Sequence, residues 1–380
     1  MRGIMSTITQ TYEESLERIC RESISPNAPT VDRDGAFPDR AIEALKTAGF
    51  LGALSSCEMG GLGLGLGGAA KIVRRVAEEC GSTSMVLCMH YCGVAVLEAH
   101  APVDVRRAAA AGDHLSTLAF SEAGSRSHFW APQGTASEAN GEVILNARKS
   151  WITSASHATA YVWSSRPLGA EGMSTIWLVP SNDSGLMVQG PFEGLGLRGN
   201  DSCPVSAKDV RVPLAALLGE DGKGFDIMMG IVLPVFSILN AACSGGFMNA
   251  ATKRTAAHAA ETTHSDTGTS LAQLSTIRNY IARMQIKADM ASALLNDAIG
   301  AIETARPDAS LRVLESKACG GETANEVLDL AMRVCGGAAF RKEVGVERYF
   351  RDSRAAGVMA PTTDVLYDFI GKAVCGLPLF

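Results

Sequence analysis

The order of two hydrophobic patterns along the chain restricts its fold more than any other feature. Apolar residues recur at helical spacing up to about residue 114 and again after about residue 222. Between these regions lie short runs with β character, separated by Gly, Pro, Asn and Ser: 143–145, 160–163, 175–179 and 210–212. This order predicts an α+β chain, mostly α, with a helical domain at 1–114, an antiparallel β sandwich or barrel at 115–222 and a helical domain at 223–380.

Length, charge and hydropathy exclude several classes of function. The 380 residues exceed one typical core and predict two or three packed units. The 34 basic and 40 acidic residues leave a net charge of −6 with no basic run, so nucleic-acid binding has no electrostatic footprint. No apolar stretch reaches the roughly 18 residues that span a bilayer, and residues 1–20 lack the apolar core of a signal peptide. We expect a cytoplasmic protein without a membrane or nucleic-acid partner.

The ten cysteines predict no metal site. They are scattered singly, and the closest pair, Cys88 and Cys92, has no matching second pair. Structural metal sites have tighter, paired spacings. We interpret the cysteines as reduced and buried thiols.

A glycine-rich stretch at 60–68 (GGLGLGLGG) could be mistaken for a phosphate-binding loop. A Walker loop ends in Gly-Lys-Ser or Gly-Lys-Thr, which is absent here, and a dinucleotide fingerprint follows a strand. The pattern around this stretch is helical. We predict a structural turn between helices.

Six short motifs follow one another along the chain. They are GGLGLG (60–65), SEAGSRSH (121–128), KSWITSA (149–155), GLR (196–198) with DVRVP (209–213), GKGF (222–225), and GGAAF (336–340) with VER (346–348) and RDSR (351–354). Each motif alone is a weak signal. In this order and at these spacings they resemble the acyl-CoA dehydrogenase superfamily across nearly the whole chain.

The resemblance implies FAD as cofactor and an architecture of N-terminal helices, a central β domain and a C-terminal four-helix bundle. It places the flavin ring beside Phe120, Ser121, Trp151 and Thr153. An isoalloxazine needs an apolar platform and a few hydrogen-bond donors, which these residue types supply. Ser127 is implied to contact the pyrophosphate or the substrate thioester.

The resemblance also implies cofactor contacts from the C-terminal domain and a homo-oligomer, a tetramer or a dimer. Only 19% of residues are charged, which agrees with surface buried between subunits. The family's Gln before its GG motif is Arg333 here, and we infer that this guanidinium reaches the pyrophosphate of a neighbouring subunit; alternatively it is a solvated helix residue. The other implied contacts are Gly336, Gly337, Thr362 and Asp364.

The chain departs from the family at the catalytic base. A dehydrogenase of this type removes a proton α to the thioester carbonyl, which needs a carboxylate within reach. In most members this is a Glu whose position here is Ala360, followed by Pro361. A minority carry it on the first bundle helix, where this chain has Val235, with Phe236 in place of the adjacent Arg. A general base contributes roughly 10²- to 10⁴-fold in rate, so an ordinary desaturase is not expected to discard it.

Three histidines are candidates to replace the missing base. His90, His128 and His157 lie in segments able to reach the site, and an imidazole exchanges a proton near neutral pH. For each of them, a surface or packed side chain is the more common interpretation. The carboxylates Asp364, Asp368 and Glu122 are further alternatives, but Asp364 suits a cofactor contact better, and Glu122 is commonly structural in its loop.

Three functions therefore stay open. The first is an FAD-dependent oxygenase, such as a monooxygenase, acting with O₂ on an acyl-CoA or similar thioester, aromatic or unsaturated ring thioesters included. The second is an acyl-CoA or acyl-carrier-protein dehydrogenase with a displaced base. The third is a flavin- or thioester-binding protein without turnover. We favour the oxygenase, because an apolar flavin face without an α-proton base suits it.

Overall fold

The structure, a computed structural model, describes residues 12–125 and 128–378. The chain forms two compact units. Of the described residues, the first unit comprises 12–72, 82–125, 128–193 and 198–236, and the second 73–81, 194–197 and 237–378.

Helices occupy the N-terminal part of the chain. They are a π-helical turn (Cys20–Ile24), α1 (Ala28–Asp34), α2 (Asp39–Thr47), α3 (Gly65–Ala77), α4 (Gly81–His100) and α5 (Val103–Ala111). Helix α4 is apolar nearly all round and buried for most of its length, as expected of a core helix. Helix α5 ends at Gly112, whose φ of 75° needs a residue without a Cβ.

The glycine-rich stretch is a structural turn, as predicted. The N–H groups of Leu62 and Leu64 donate to the carbonyls of Gly52 and Ala53 at 2.9 and 3.0 Å, and α3 begins at Gly65. Backbone N–H groups used in this way do not cradle a phosphate.

Two four-stranded sheets form the β part of the first unit. The strands are β1 (Ser116–Ala119), β2 (Thr135–Ala139), β3 (Glu142–Ile152), β4 (Ala160–Ser165), β5 (Thr175–Pro180), β6 (Leu186–Val188), β7 (Cys203–Pro213) and β8 (Leu217–Leu218). Their orders are β1-β4-β5-β8 and β2-β3-β7-β6. The prediction of a wholly antiparallel sheet is wrong for one pair, since β1 runs parallel to β4. Strands β2 and β3 lie in the other sheet, so the chain leaves the first sheet and re-enters it in the same direction.

The core of this β part holds large aromatic side chains. Trp163 and Trp177 oppose one another on β4 and β5, and Tyr161 packs near them, all at most 1% exposed. Alternate residues of β3 and β7, such as Val143 and Val212, complete the core.

The C-terminal part is a set of helices, three of them long. They are α6 (Gly224–Ile227), a π-helical turn (Met228–Val232), α7 (Leu233–Glu261), α8 (Ser275–Glu303), α9 (Ala309–Cys335), α10 (Val346–Val358) and α11 (Thr363–Val374). Pro234 lies inside the continuous helical stretch Gly224–Glu261, two residues after the π-helical turn, and has no N–H to donate at this interior position. In the second unit α7 and α9 pack closely, because a Cβ on Gly320 would lie only 3.1 Å from the Cα of Ala241.

Two helical stretches are long and apolar enough to span a membrane by length and composition, Gly81–His100 and Gly224–Glu261. The expectation that no stretch reaches this length is corrected, because a helix with scattered polar residues still has high mean hydropathy. In the most apolar window of each stretch, 83% and 67% of residues are buried inside the protein. Such burial is typical of core helices, so these stretches are weak grounds for a membrane span.

Candidate functional site

Trp151 is presented to solvent by a β-bulge. The pairing of β3 with β7 passes from Lys149 opposite Val205 to Ile152 opposite Cys203, which leaves one extra residue on β3. At this bulge Trp151 takes a left-handed φ of 58°, and its side chain is 71% exposed. Bulges near functional sites re-aim side chains in this way. The result is an open indole face on the first unit.

A buried hydroxyl pair lies directly beyond Trp151. Thr153 Oγ1 and Ser202 Oγ are 3.1 Å apart, and the two residues are 1% and 8% exposed. Their mutual hydrogen bond uses one of two hydroxyl hydrogens, so the other is left to donate to a ligand. The N–H of Ser154 donates to the carbonyl of Asn200 at 2.9 Å and holds this turn in place.

The loop before the bulge is held by a buried ion pair. Lys149 Nζ lies 2.6 Å from Glu122 Oε1 and donates to Ser164 O at 2.7 Å, and both charged side chains are almost fully buried. Burial lowers the pKa of Lys149 to about 8, while the Glu122 carboxylate acts to raise it. The predicted cofactor residue Ser121 lies next to this ion pair in the chain. Its backbone carbonyl accepts a 2.9 Å hydrogen bond from the Ser150 N–H.

Two more contacts were predicted in this segment. Phe120 directly follows β1 and is 5% exposed. It is therefore a packed neighbour of the loop. Ser127 lies outside the described residues, so its predicted contact stays a prediction.

In the second unit, an open glycine corner follows α9. Gly336 has φ 54° and ψ −135°, a conformation that favours glycine, and a Cβ on Gly336 or Gly337 would meet open space. One turn earlier, Arg333 is exposed and bonds to Asp329 at 2.9 Å. The Gly336 N–H donates to the Met332 carbonyl, so the Arg333 guanidinium is the group here with the chemistry of an anion site.

The remaining predicted contacts lie at the start of α11. Thr362 is the residue before the helix, and Asp364 is exposed in its first turn. Both belong to the second unit, as do Arg333 and the glycine corner.

A buried lysine that the sequence did not signal holds the segment 359–361. Lys317 on α9 is 1% exposed. Its Nζ donates to the carbonyls of Ala356, Met359 and Pro361 at 3.3, 3.0 and 2.8 Å. Three carbonyl acceptors match the three N–H donors of an ammonium group. Lys317 therefore fixes the position of Ala360, where most family members carry their base.

His90 is fully buried, and both of its ring nitrogens are engaged. Nε2 is 2.9 Å from the Leu51 carbonyl, and Nδ1 accepts from the Ser116 N–H at 3.1 Å. Burial lowers the pKa of His90 to about 4. With both nitrogens bonded to backbone, the ring links α4 to the turn at Leu51 and to β1, and offers no nitrogen to a substrate.

This burial predicts acid sensitivity. His90 is neutral when folded down to about pH 4 but protonates near 6.5 when unfolded, so the unfolded state binds more protons between these values. We expect the free energy of unfolding to fall by about 3 kcal/mol from this group as pH drops from 7 to 4. Chemical denaturation across that range measures it. A His90→Gln variant with an unchanged pH slope would contradict the assignment.

The other two histidines are accessible. His128 is exposed and lies against Trp130, with ring centroids 5.0 Å apart. His157 stacks on Phe37 at 3.8 Å, and its Nδ1 is 3.1 Å from Asp201 Oδ2. Burial acts to raise the pKa of Asp201, but hydrogen bonds from His157 and the Ser156 N–H bring it below its usual range. His157 thus has the orienting carboxylate that a base uses.

Metal chemistry finds no support among the residues described. No group of three His, Cys, Asp or Glu side chains in 12–125 and 128–378 is arranged to hold an ion. The ten cysteines are free thiols, and seven of them are buried.

The residues present fit a flavin. The first unit offers an exposed indole face beside a hydroxyl donor, and the second offers an open glycine corner with a guanidinium. An isoalloxazine ring and a pyrophosphate need these two kinds of surface. Each unit, taken by itself, therefore carries residue types that agree with the flavin that the sequence motifs imply.

Comparison with known proteins identifies the family. The N-terminal, middle and C-terminal domains of acyl-CoA dehydrogenase match residues 8–108, 117–210 and 222–375. The chain belongs to the acyl-CoA dehydrogenase superfamily, whose members are FAD-containing oxidoreductases. The predictions of the fold, of FAD and of a flavin-dependent oxidoreductase are confirmed at this level.

Two curated relatives and one solved structure illustrate the similarity. The chain is 27% identical to a probable acyl-CoA dehydrogenase, YngJ, of Bacillus subtilis (strain 168), over 94% of this chain and 95% of the relative. It is 25% identical to cyclohex-1-ene-1-carbonyl-CoA dehydrogenase of Syntrophus aciditrophicus (strain SB), over 98% and 92%. The fold matches that of the prolyl acyl carrier protein oxidase AnaB, with a TM-score of 0.88 at 17% identity, covering 97% and 99% of the two chains.

Arg333 carries a prediction for cofactor binding. If its guanidinium reaches the pyrophosphate, Arg333→Ala weakens FAD binding by roughly tenfold to a hundredfold, the usual worth of a charge-assisted hydrogen bond. Asp329→Asn removes its partner on the same helix and is expected to keep or tighten binding. FAD titration of the apoprotein measures both. If Arg333→Ala keeps full FAD affinity, Arg333 is a solvated helix residue that does not contact the cofactor.

Proposed function

We propose that the chain is an FAD-dependent oxygenase that acts on an acyl-CoA or related thioester, with O₂ as co-substrate. One observation carries the proposal. The segment at the family's base position reads Met359-Ala360-Pro361, and its backbone carbonyls are bound by the Lys317 ammonium. Neither Ala360 nor Val235 supplies a carboxylate, so the α-proton step of a desaturase lacks its usual group.

The side chains of the site suit this chemistry. FAD, when bound and reduced by an external two-electron donor, would supply the two electrons that the reduction of one oxygen atom of O₂ to water requires. Trp151 offers the flat apolar surface, Thr153 or Ser202 a hydroxyl donor, and Arg333 a positive charge for the phosphates. Residues 231–236, which include Val235, are all apolar, and an apolar surface at a flavin would keep water away from the reacting groups.

The substrate class follows from two kinds of support. Superfamily membership favours a thioester, and the relative named for a cyclohexenecarbonyl-CoA favours ring-bearing acyl groups. AnaB is named as an oxidase, which shows that this fold also supports enzymes of that type. We further propose a homo-oligomer, a tetramer or a dimer, in the cytoplasm.

A dehydrogenase with a displaced base is the second candidate. Two curated relatives matching nearly the whole chain are named as dehydrogenases. His157, 35% exposed and oriented by Asp201, is the best placed of the three histidines to act as such a base. If the chain is such a dehydrogenase, His157→Gln abolishes turnover. If it is the oxygenase, the His157→Gln variant keeps its turnover.

Labelling with ¹⁸O₂ tests the proposal. The FAD-loaded enzyme is reduced photochemically, mixed with ¹⁸O₂ and offered a panel of aromatic, cyclic and straight-chain CoA thioesters. The oxygenase places one labelled atom in the product and releases the other as water. Desaturated, unlabelled product from any member of the panel supports the dehydrogenase instead, and tight binding without product supports a binding protein.

A further inference from the structure

Two buried polar side chains on α7 each carry an oxygen without a hydrogen-bond partner in the described part of the chain. Ser237 and Asn240 are 0% and 1% exposed. Ser237 Oγ and Asn240 Oδ1 have no partner among the residues that the structure describes. Because they are three residues apart on a helix, they lie on one face. The nine residues 231–239 around Ser237 are uncharged and otherwise apolar, so a polar pair stands out there.

The contact of Asn240 with Met359 shows which end of its amide is free. Asn240 Nδ2 lies 3.7 Å from Met359 Sδ. A thioether sulfur only accepts hydrogen bonds, so the NH₂ end faces Met359 and the carbonyl oxygen is the unpaired end. Lys317 binds the Met359 carbonyl at 3.0 Å, so this sulfur belongs to an anchored segment. Asn240 is therefore held in one orientation.

An unpaired buried amide oxygen is costly, and native proteins pair nearly all such groups. Leucine has the same branched shape as asparagine and carries no polar atom that needs a partner. The retention of two unpaired groups on one helix face, beside the segment 359–361, indicates that a ligand completes them.

We propose that Ser237 and Asn240 bind a hydroxyl or N–H group carried by the acyl portion of the substrate. Asn240 Oδ1 accepts from this group, and the Ser237 hydroxyl accepts from it or donates to it. This inference rests on the proposed thioester function and narrows it. The preferred substrate is a hydroxylated or amino-substituted acyl thioester, and the unsubstituted hydrocarbon analogue is discriminated against because it leaves both groups unpaired.

Paired ligands test the inference on the FAD-loaded enzyme. The dissociation constant of benzoyl-CoA is compared with those of its three hydroxy and three amino isomers, and that of hexanoyl-CoA with those of its hydroxy and amino derivatives. At least one substituted thioester is expected to bind about tenfold tighter or more than its parent. Asn240→Leu brings that ratio to about one, and Ser237→Ala lowers it. Ser244→Ala, at a buried serine two turns further along α7, leaves the ratio unchanged.

A stability measurement tests the same inference without a ligand. Asn240→Leu removes an unpaired buried oxygen and is expected to raise the melting temperature of the ligand-free enzyme. Should the leucine variant fail to fold, Asn240→Ala takes its place in the binding comparison.

The outcomes separate the inference from the proposed function. Equal affinities within every pair, or a preference that survives Asn240→Leu and Ser237→Ala, overturn the inference and leave the thioester function standing. If the FAD-loaded enzyme binds none of these thioesters, both fall together.

Discussion

Lys149→Met is expected to lower the free energy of unfolding by about 3–5 kcal/mol, the cost of breaking a buried ion pair from one side. The ammonium lies 2.6 Å from Glu122 Oε1 and donates to Ser164 O and Ser164 Oγ at 2.7 and 2.9 Å. The Lys149 and Glu122 side chains are 0% and 3% exposed. Without Lys149, the Glu122 carboxylate remains buried with only the N–H groups of Gln133 and Gly134 as donors among the contacts described.

A double-mutant cycle checks this result. Glu122→Gln combined with Lys149→Met removes both charges and is expected to recover most of the loss. The exposed pair of Arg211 and Glu142, whose side chains are 50% and 48% exposed, is the matched control. Arg211→Ala costs no more than about 1 kcal/mol, as is usual at the surface. Denaturant unfolding is measured for Lys149→Met, Glu122→Gln, the double variant and Arg211→Ala, and an equally small loss in Lys149→Met contradicts the assignment.

Ala360→Glu is expected to speed anaerobic reduction of the flavin by a saturated acyl-CoA, by about 10²- to 10⁴-fold over the wild type. The change places a carboxylate where most members of the superfamily carry their base. Lys317 holds the carbonyls of Met359 and Pro361 on either side, so the new side chain grows from an anchored segment. Stopped-flow loss of the visible flavin absorbance measures the rate.

Ala360→Gln is the control for this gain. The amide has the size of the carboxylate but no useful basicity, so it is expected to match the wild type. Equal rates in the Glu, Gln and wild-type proteins would show that the base position alone does not set the reaction.

The fold was predictable because its elements carry strong local signals. The runs at 160–163 and 175–179 became the core strands β4 and β5. The parallel pairing of β1 with β4 was not predictable, since it depends on how the intervening strands are divided between sheets and not on any local pattern.

The site was only partly predictable. Motif order identified Trp151 and Thr153 as candidates, but the bulge that exposes Trp151 arises from the register of β3 on β7. Lys317 and Asn240 gave no sequence signal, because a single polar residue in a helix is usually solvated. Their burial and their contacts with Met359 depend on long-range packing. The placement of His90 between two backbone groups is likewise a tertiary feature.

Anaerobic mixing of the FAD-loaded wild type with saturated acyl-CoA thioesters tests the central claim most directly. The claim is that the superfamily's fold and flavin surface are retained while the α-proton base is absent. The flavin absorbance is predicted to stay unchanged through many minutes with every thioester of the panel. Stoichiometric loss of that absorbance within a first turnover would contradict the account and assign the chain to the dehydrogenases.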